Sequence, residues 1–171
     1  MVELRGERVL LRPLTAADAP TVAAIQAQPE VARRWGPPEE AELRRKVDGE
    51  EGVTAFAIEL EGAVVGLAQY HEEEDPMYRH AGIDLFLSED VHGRGLGTDA
   101  VRTLARYLIR DRGHHRLVID PAADNAAAIR TYEKVGFRPV GVMRRYERLP
   151  GGEWHDGLLM DLLADEFSDG R

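Results

Sequence analysis

Apolar residues along this chain fall into two alternating rhythms. Short runs with strand character lie at Glu7 to Leu14, Thr54 to Leu60, Ala63 to His71, Ile83 to Leu87, Leu117 to Asp120, Val140 to Arg148 and Trp154 to Leu162. Between them come segments of helical character, in which apolar positions three or four apart share one face. These run from Thr15 to about Gln28, from about Pro38 to Val47, from Asp99 to Ile109, and from Ala126 to Val135, where Ala128, Ile129 and Tyr132 line up. The punctuation agrees. Thr15-Ala16-Ala17-Asp18 reads as an N-cap and first turn, Gly36-Pro37-Pro38 as a break, Glu61-Gly62 as a hairpin turn and Gly136 as a helix C-cap. Pro150-Gly151-Gly152 separates the last two strands. This order predicts one domain over 1–171, of α/β (α+β) class, with a mixed, strongly twisted sheet of about seven strands and helices on both faces.

The junction between the fourth predicted strand and the helix opening near Asp99 carries the first chemistry. Val91-His92-Gly93-Arg94-Gly95-Leu96-Gly97-Thr98 places three glycines where a strand gives way to a helix. Glycine tolerates positive φ and close backbone approach, and the free N–H groups of a helix N-terminus face whatever sits there, so the segment suits a phosphate. A plain structural turn is the competing reading. The spacing is not a P-loop, since no lysine follows Gly97, and it is not GxGxxG in a first βα unit, so a dinucleotide fingerprint does not fit.

A second segment sharpens the picture. After Leu117-Val118-Ile119-Asp120-Pro121 and the turn Ala122-Ala123-Asp124-Asn125 comes a short helix that ends at Gly136-Phe137. Asn125, Ala128, Tyr132, Gly136 and Phe137 match an Asn-x-x-Ala-x-x-x-Tyr-x-x-x-Gly-Phe element, and together with the glycine loop the chain resembles the GCN5-related N-acetyltransferase (GNAT) family. Within it, Glu72-Glu73-Glu74-Asp75-Pro76, Gly82-Ile83-Asp84 and Ala128 to Phe137 are most similar to aminoglycoside 6'-N-acetyltransferases. The opening Leu4 to Leu14 looks equally like ribosomal-protein N-terminal acetyltransferases. His92 departs from the family, where Gln or Arg is usual three residues before Gly95.

The resemblance implies an acetyl-coenzyme A site. Its pyrophosphate would meet His92, Gly93, Arg94, Gly95, Leu96, Gly97 and Thr98, with Arg94 as a charged donor. The backbone of Leu85, Phe86 and Leu87 would pair with the pantetheine arm, which Asn125, Ala128 and Tyr132 would also line. Asp84, an acid inside an apolar strand, is the candidate general base or ammonium ligand, and a strand-edge acid facing solvent is the bland alternative. Tyr132 is the candidate acid for the departing thiolate, core packing being its ordinary role. Asp120, before Pro121, is a second ammonium ligand or a turn-forming residue, and Asp156 a weaker third.

Composition bears on partners. The formal net charge of −9 disfavours nucleic acid. Glu72, Glu73, Glu74 and Asp75 are either a solvated loop or a source of negative potential that attracts a polycationic amine. The absence of cysteine rules out a cysteine nucleophile, so transfer is expected to be direct. His71, His80, His114 and His115 lack metal spacing and read as surface or loop residues, with no metal expected. No apolar run spans a bilayer and the start is no signal peptide, so no membrane partner and a cytoplasmic location are expected. The chain is taken as a monomer or homodimer, with Trp35 and Trp154 at a dimer interface or in the substrate cleft. The leading expectation is acetylation of the 6'-amine of aminoglycoside antibiotics; the alternatives are a protein N-terminus as substrate, or a non-catalytic acyl-coenzyme A sensor.

Overall fold

The computed structural model describes residues 2–170. Eight strands form one sheet: β1 (Leu4–Arg5), β2 (Val9–Pro13), β3 (Thr54–Leu60), β4 (Ala63–Glu73), β5 (His80–Leu87), β6 (Arg116–Ile119), β7 (Arg138–Arg148) and β8 (Trp154–Leu163). The order across the sheet is β1-β2-β3-β4-β5-β6-β8-β7, and only β5 and β6 run parallel. Strand alternation splits the core in two. Phe56, Ile58, Ala68 and Ile83 pack with α4 (Leu96–Arg110) and α5 (Ala126–Val135). Ala55, Ala57, Leu67 and Phe86 pack on the other face with α1 (Ala19–Gln26), α2 (Pro29–Trp35) and α3 (Glu40–Val47). Helices on both faces and a mixed sheet are as the sequence predicts, with one more strand than expected.

That extra strand is β1, which pairs Leu4 with Leu11 and Arg5 with Leu10. Its turn is pinned from a distance. The buried Asp99 carboxylate accepts the backbone N–H groups of Glu7, Arg8 and Val9 at 2.9, 2.8 and 3.0 Å. Gly6 is required there, because a Cβ would fall 2.5 Å from Asp99 Oδ1. The first helix also differs. Asp18 accepts hydrogen bonds from Thr15 and from the Arg12 guanidinium, which hold its pKa at about 2, and Ala16–Asp18 forms a 3₁₀ turn before α1. Helix α2 was not predicted. Pro29 at its first position restarts a helix that otherwise ends at Gln26, and its polar Arg33-Arg34 hides the apolar face.

One feature of the sheet creates the site. Strands β5 and β6 are matched only at Ala81–Leu117 and Gly82–Val118. Beyond Ile119 the chain turns to β8 instead: Pro121 accepts from Leu158 N at 2.8 Å, Ala122 bridges to Gly157, and Ala123 N donates to the Asp156 carbonyl at 2.9 Å. The edge of β5 from Ile83 to Leu87 is thereby released from its parallel neighbour, and a wedge opens between the strands. Buried backbone groups need partners, so a released edge in a cleft is a place for a ligand with amides of its own.

Candidate active site

The wedge continues into a cavity of 470 Å³ on the α4–α5 side. Leu85, Phe86, Leu87, His92, Gly93, Gly95, Leu96, Gly97, Thr98, Asn125, Ala128 and Tyr132 all line it. Gly93 and Gly95 stand at φ of 74° and 78°, a region costly for any residue with a Cβ. Helix α4 starts at Leu96 rather than near Asp99, with Gly95 as its N-cap, and its first internal bond is Asp99 N to Gly95 O. The N–H groups of Leu96, Gly97 and Thr98 therefore lack intrahelical partners, and all three residues border the cavity. His92, the departure from the family pattern, donates from Nε2 to the Leu87 carbonyl at 2.9 Å and closes the loop onto the end of β5. Asn125 caps α5, accepting from Ala128 N through Oδ1.

Two adjustments concern charge. Arg94 is exposed and outside the cavity lining, and its carbonyl is held by Arg8 Nη1 at 2.8 Å. The cations that do border the cavity are Arg33, Arg34 and Lys134, which the sequence reading did not select. Arg33 and Arg34 close the last turn of α2, the helix that the pattern concealed. Arg34 also pairs with Asp124 at 2.6 Å, tying α2 to the loop that precedes α5.

A second cavity, of 780 Å³, meets the first at Arg34, Trp35, Leu85, Asn125 and Tyr132. Asp84, Asp120 and Glu147 give it an acidic floor, and Trp35, Tyr146 and Trp154 supply aromatic walls. The two tryptophans therefore belong to the cleft. Burial, and then the negative charge of Asp120, push the Asp84 carboxyl above its ordinary pKa, against the opposing influence of His71, the Gln69 amide and Lys46. Gln69 lies opposite Asp84 in register, and its Oε1 accepts from Lys46 Nζ at 3.1 Å. Glu147 is raised by burial and by Asp120.

Tyr132 sits where the cavities join, 9% exposed. Burial raises its phenol, with the charges of Asp84 and Asp120 adding to the effect, so the proton stays on the oxygen at neutral pH. Asp120 accepts from the Tyr146 hydroxyl at 2.6 Å, and that bond pushes the Tyr146 phenol up to about 12. Asp120 is thus a cleft residue rather than an Asx-turn residue.

Tyr146 and Glu147 were not selected from sequence because a bulge delivers them. The β7–β8 register breaks between Met143 and Glu147, and Arg145 adopts φ 48°. Bulges of this kind redirect side chains. Asp156 holds the bulge by accepting Arg145 N at 2.8 Å, and it does not border the cavity.

The acidic loop stands elsewhere. Glu72 accepts from Arg112 at 2.8 Å and from the His114 ring at 2.6 Å, and Arg112 is the larger cause of its lowered pKa. Glu73 and Asp75 accept backbone N–H groups of the loop itself, from Asp75 and Met77. None of Glu72, Glu73, Glu74 or Asp75 lines either cavity. One histidine differs from expectation: His114 is core, 1% exposed. His71 is exposed as expected, and it lies in β4 on the cleft.

Comparison with known proteins agrees with this geometry. The family model described as an acetyltransferase (GNAT) domain matches residues 8–138. Aminoglycoside N(6')-acetyltransferase type 1 of Klebsiella pneumoniae is 31% identical over 158 residues, covering 81% of this chain and 78% of that protein. Spermidine N(1)-acetyltransferase of Escherichia coli (strain K12) is 26% identical over 165 residues, covering 93% of this chain and 88% of that protein. The crystal structure of aminoglycoside acetyltransferase AAC(6')-Ib in complex with coenzyme A is similar at a TM-score of 0.76 and 28% identity, covering 92% of this chain and 96% of that one. The released β5 edge, the glycine-rich start of α4 and the match over most of the chain have one meaning: this protein belongs to the GNAT family and is an N-acetyltransferase that draws on acetyl-coenzyme A.

Proposed function

We propose that the chain acetylates a primary amine of a small polycationic substrate, with the 6'-amine of an aminoglycoside as the preferred acceptor. The observation that carries this is the acidic floor of the second cavity, lined by Asp84, Asp120 and Glu147, with the charges of Asp84 and Asp120 reaching Tyr132 where the two cavities meet. A substrate with several ammonium groups gains from each carboxylate, and amphipathic sugar rings pack against Trp35, Tyr146 and Trp154. The 31% identity to the Klebsiella enzyme supports the same acceptor. Spermidine is the second reading, because the relative from Escherichia coli acts on a linear cation that the same floor suits.

Bound acetyl-coenzyme A supplies a thioester carbonyl whose sulfur departs when an amine attacks. The residues present fit it. The unpaired β5 edge offers amide partners, the N–H groups of Leu96, Gly97 and Thr98 suit its phosphates, and Arg33 and Lys134 border the same cavity. Asp84 removes a proton from the substrate ammonium. An ordinary aspartate is a weak base at neutral pH, and the upward shift from burial moves Asp84 towards the working range. Tyr132 donates its phenolic proton to the departing sulfur. Its raised pKa makes it a reluctant acid, so its contribution lies near the lower limit of about 10² expected for general acid catalysis.

The test is coenzyme A release from acetyl-coenzyme A with kanamycin, tobramycin, spermidine and a ribosomal-protein N-terminal peptide in parallel. Highest kcat/KM on an aminoglycoside is the expected result. Preference for spermidine would select the second reading, and turnover of the peptide alone would overturn both.

A further inference from the structure

We infer that His71 is the proton exit of this site, taking the proton that Asp84 removes from the substrate amine and passing it to solvent. The inference rests on the reading of Asp84 given above, and it adds a residue to which the acetyltransferase resemblance assigns no role.

Register places the two side chains together. His71 pairs with Gly82 and Gln69 with Asp84, so His71 and Asp84 are diagonal neighbours on one face of the β4–β5 ladder. Diagonal positions lie about 7–8 Å apart at the backbone, within reach of a long or aromatic side chain. Gly82 brings the ring across. A Cβ at Gly82 would fall 2.1 Å from His71 Cε1 and 2.6 Å from Nε2, so the imidazole lies against the bare backbone of residue 82, next in line to Asp84. Any other residue there would push the ring away. His71 borders the same cavity as Asp84 and Asp120, yet it is exposed.

Chemistry requires such a group. Asp84 is partly buried, and the residues that flank it or lie directly opposite, Ile83, Leu85 and Gln69, are apolar or amide, so a proton accepted there needs a route out before the next turnover. Imidazole exchanges protons readily at neutral pH and carries two nitrogens, so it can accept on one and release from the other. The balance is simple. The N–H bond of the ammonium breaks as an O–H bond forms on Asp84; that proton moves to one ring nitrogen of His71, and the opposite N–H gives its proton to water. The titratable groups near the ring are His80, at 6.4 Å between centroids, and Asp84, while Asp120, Glu147, Tyr132, Tyr146, Arg34 and Arg148 line the same cleft.

Turnover of kanamycin and of spermidine with acetyl-coenzyme A is measured for the wild type, His71→Gln, Gly82→Ala and Asp84→Asn, at low buffer concentration across pH 6–9 and with added imidazole. His71→Gln is expected to slow kcat up to about 10²-fold in low buffer, with KM little changed and with recovery as imidazole is added. Gly82→Ala should show the same buffer dependence while retaining the imidazole, because its Cβ displaces the ring. A His71→Gln enzyme as fast as wild type in low buffer, or one slowed with no response to imidazole, overturns the inference. Asp84→Asn separates the two ideas: it should be slowed about 10² to 10⁴-fold with or without imidazole. An Asp84→Asn enzyme with wild-type turnover, or no turnover of either amine by the wild type, removes the underlying reading and this inference with it.

Discussion

The molecule holds two groups of carboxylates that look alike in sequence and differ in everything else. Glu72 to Asp75 are contiguous, and three of them serve structure: Glu72 pairs with Arg112 and bonds the buried His114 ring, while Glu73 and Asp75 cap their own loop. Asp84, Asp120 and Glu147 are scattered over three strands or strand ends, and among the described residues no cation pairs directly with Asp84 or Asp120. A carboxylate paired with a guanidinium is pulled down in pKa, and one that is buried and then faces another carboxylate is pushed up, as Glu72 and Asp84 show. Density of charge along the chain is therefore a poor guide to which carboxylates line a cavity. Unmet charge in a concave site is the better one.

The sharpest way to break that contrast is Asp84→Asn, with kcat/KM expected to fall about 10² to 10⁴-fold. The same change should stabilise the fold. Because the folded-state pKa of Asp84 is raised, its ionisation costs stability as pH climbs from its ordinary value through the raised one, so the variant should melt higher than wild type at pH 7. For activity the sign reverses, and kcat/KM of the wild type should drop as pH falls through the raised pKa. A variant that loses activity and stability together would count against a crowded, unpaired acid.

Next in size is Tyr132→Phe, expected to lower kcat about 10²-fold while leaving the melting temperature almost unchanged, since the ring stays in the core. Glu72→Gln should do the opposite. It weakens the charged bonds to Arg112 and to buried His114, costing about 1–3 kcal/mol of stability by denaturant unfolding with KM unaltered. Because the pKa of Glu72 is lowered in the fold, its contribution is present above the ordinary carboxylate pKa and fades as pH falls below it, so the variant's deficit should shrink in acid. Smallest of all is neutralising Glu73, Glu74 and Asp75 together. Exposed charges steer only from a distance, so KM for a polycation should rise no more than about 2–3-fold, and only at low salt. A large change in KM there would restore the loop as a binding surface.

The coenzyme half of the site was legible because it is built from one continuous stretch of backbone. Gly93 to Thr98 forms a local turn whose function depends on φ angles and free N–H groups, which glycine spacing and a helix start already encode. Even there, Arg94 was chosen by adjacency and lies outside the cavity, while Arg33 and Lys134 enter from helices remote in sequence. In the second cavity, alternation placed Asp84 inside a strand, and burial is the largest cause of its raised pKa, with Asp120 second. Glu147 and Tyr146 depended on a bulge at Arg145, held by Asp156 from another strand, and strand periodicity gives no sign of it.

The sequence by itself determined the alternation of strands and helices, the glycine-rich turn before α4, the α5 helix from its Asn125 cap to Gly136, and the family. Those features depend on local spacing and on backbone chemistry within a few residues. Only the tertiary structure decided that β6 leaves β5 after two residue pairs, that α2 brings Arg33 and Trp35 to the clefts, and that Gly82 seats His71 beside Asp84. It also decided that Glu72, in the most acidic stretch of the chain, meets Arg112 and His114, and that this stretch lines neither cavity. A carboxylate's role follows from which charges reach it across space, and one-dimensional order does not contain that distance.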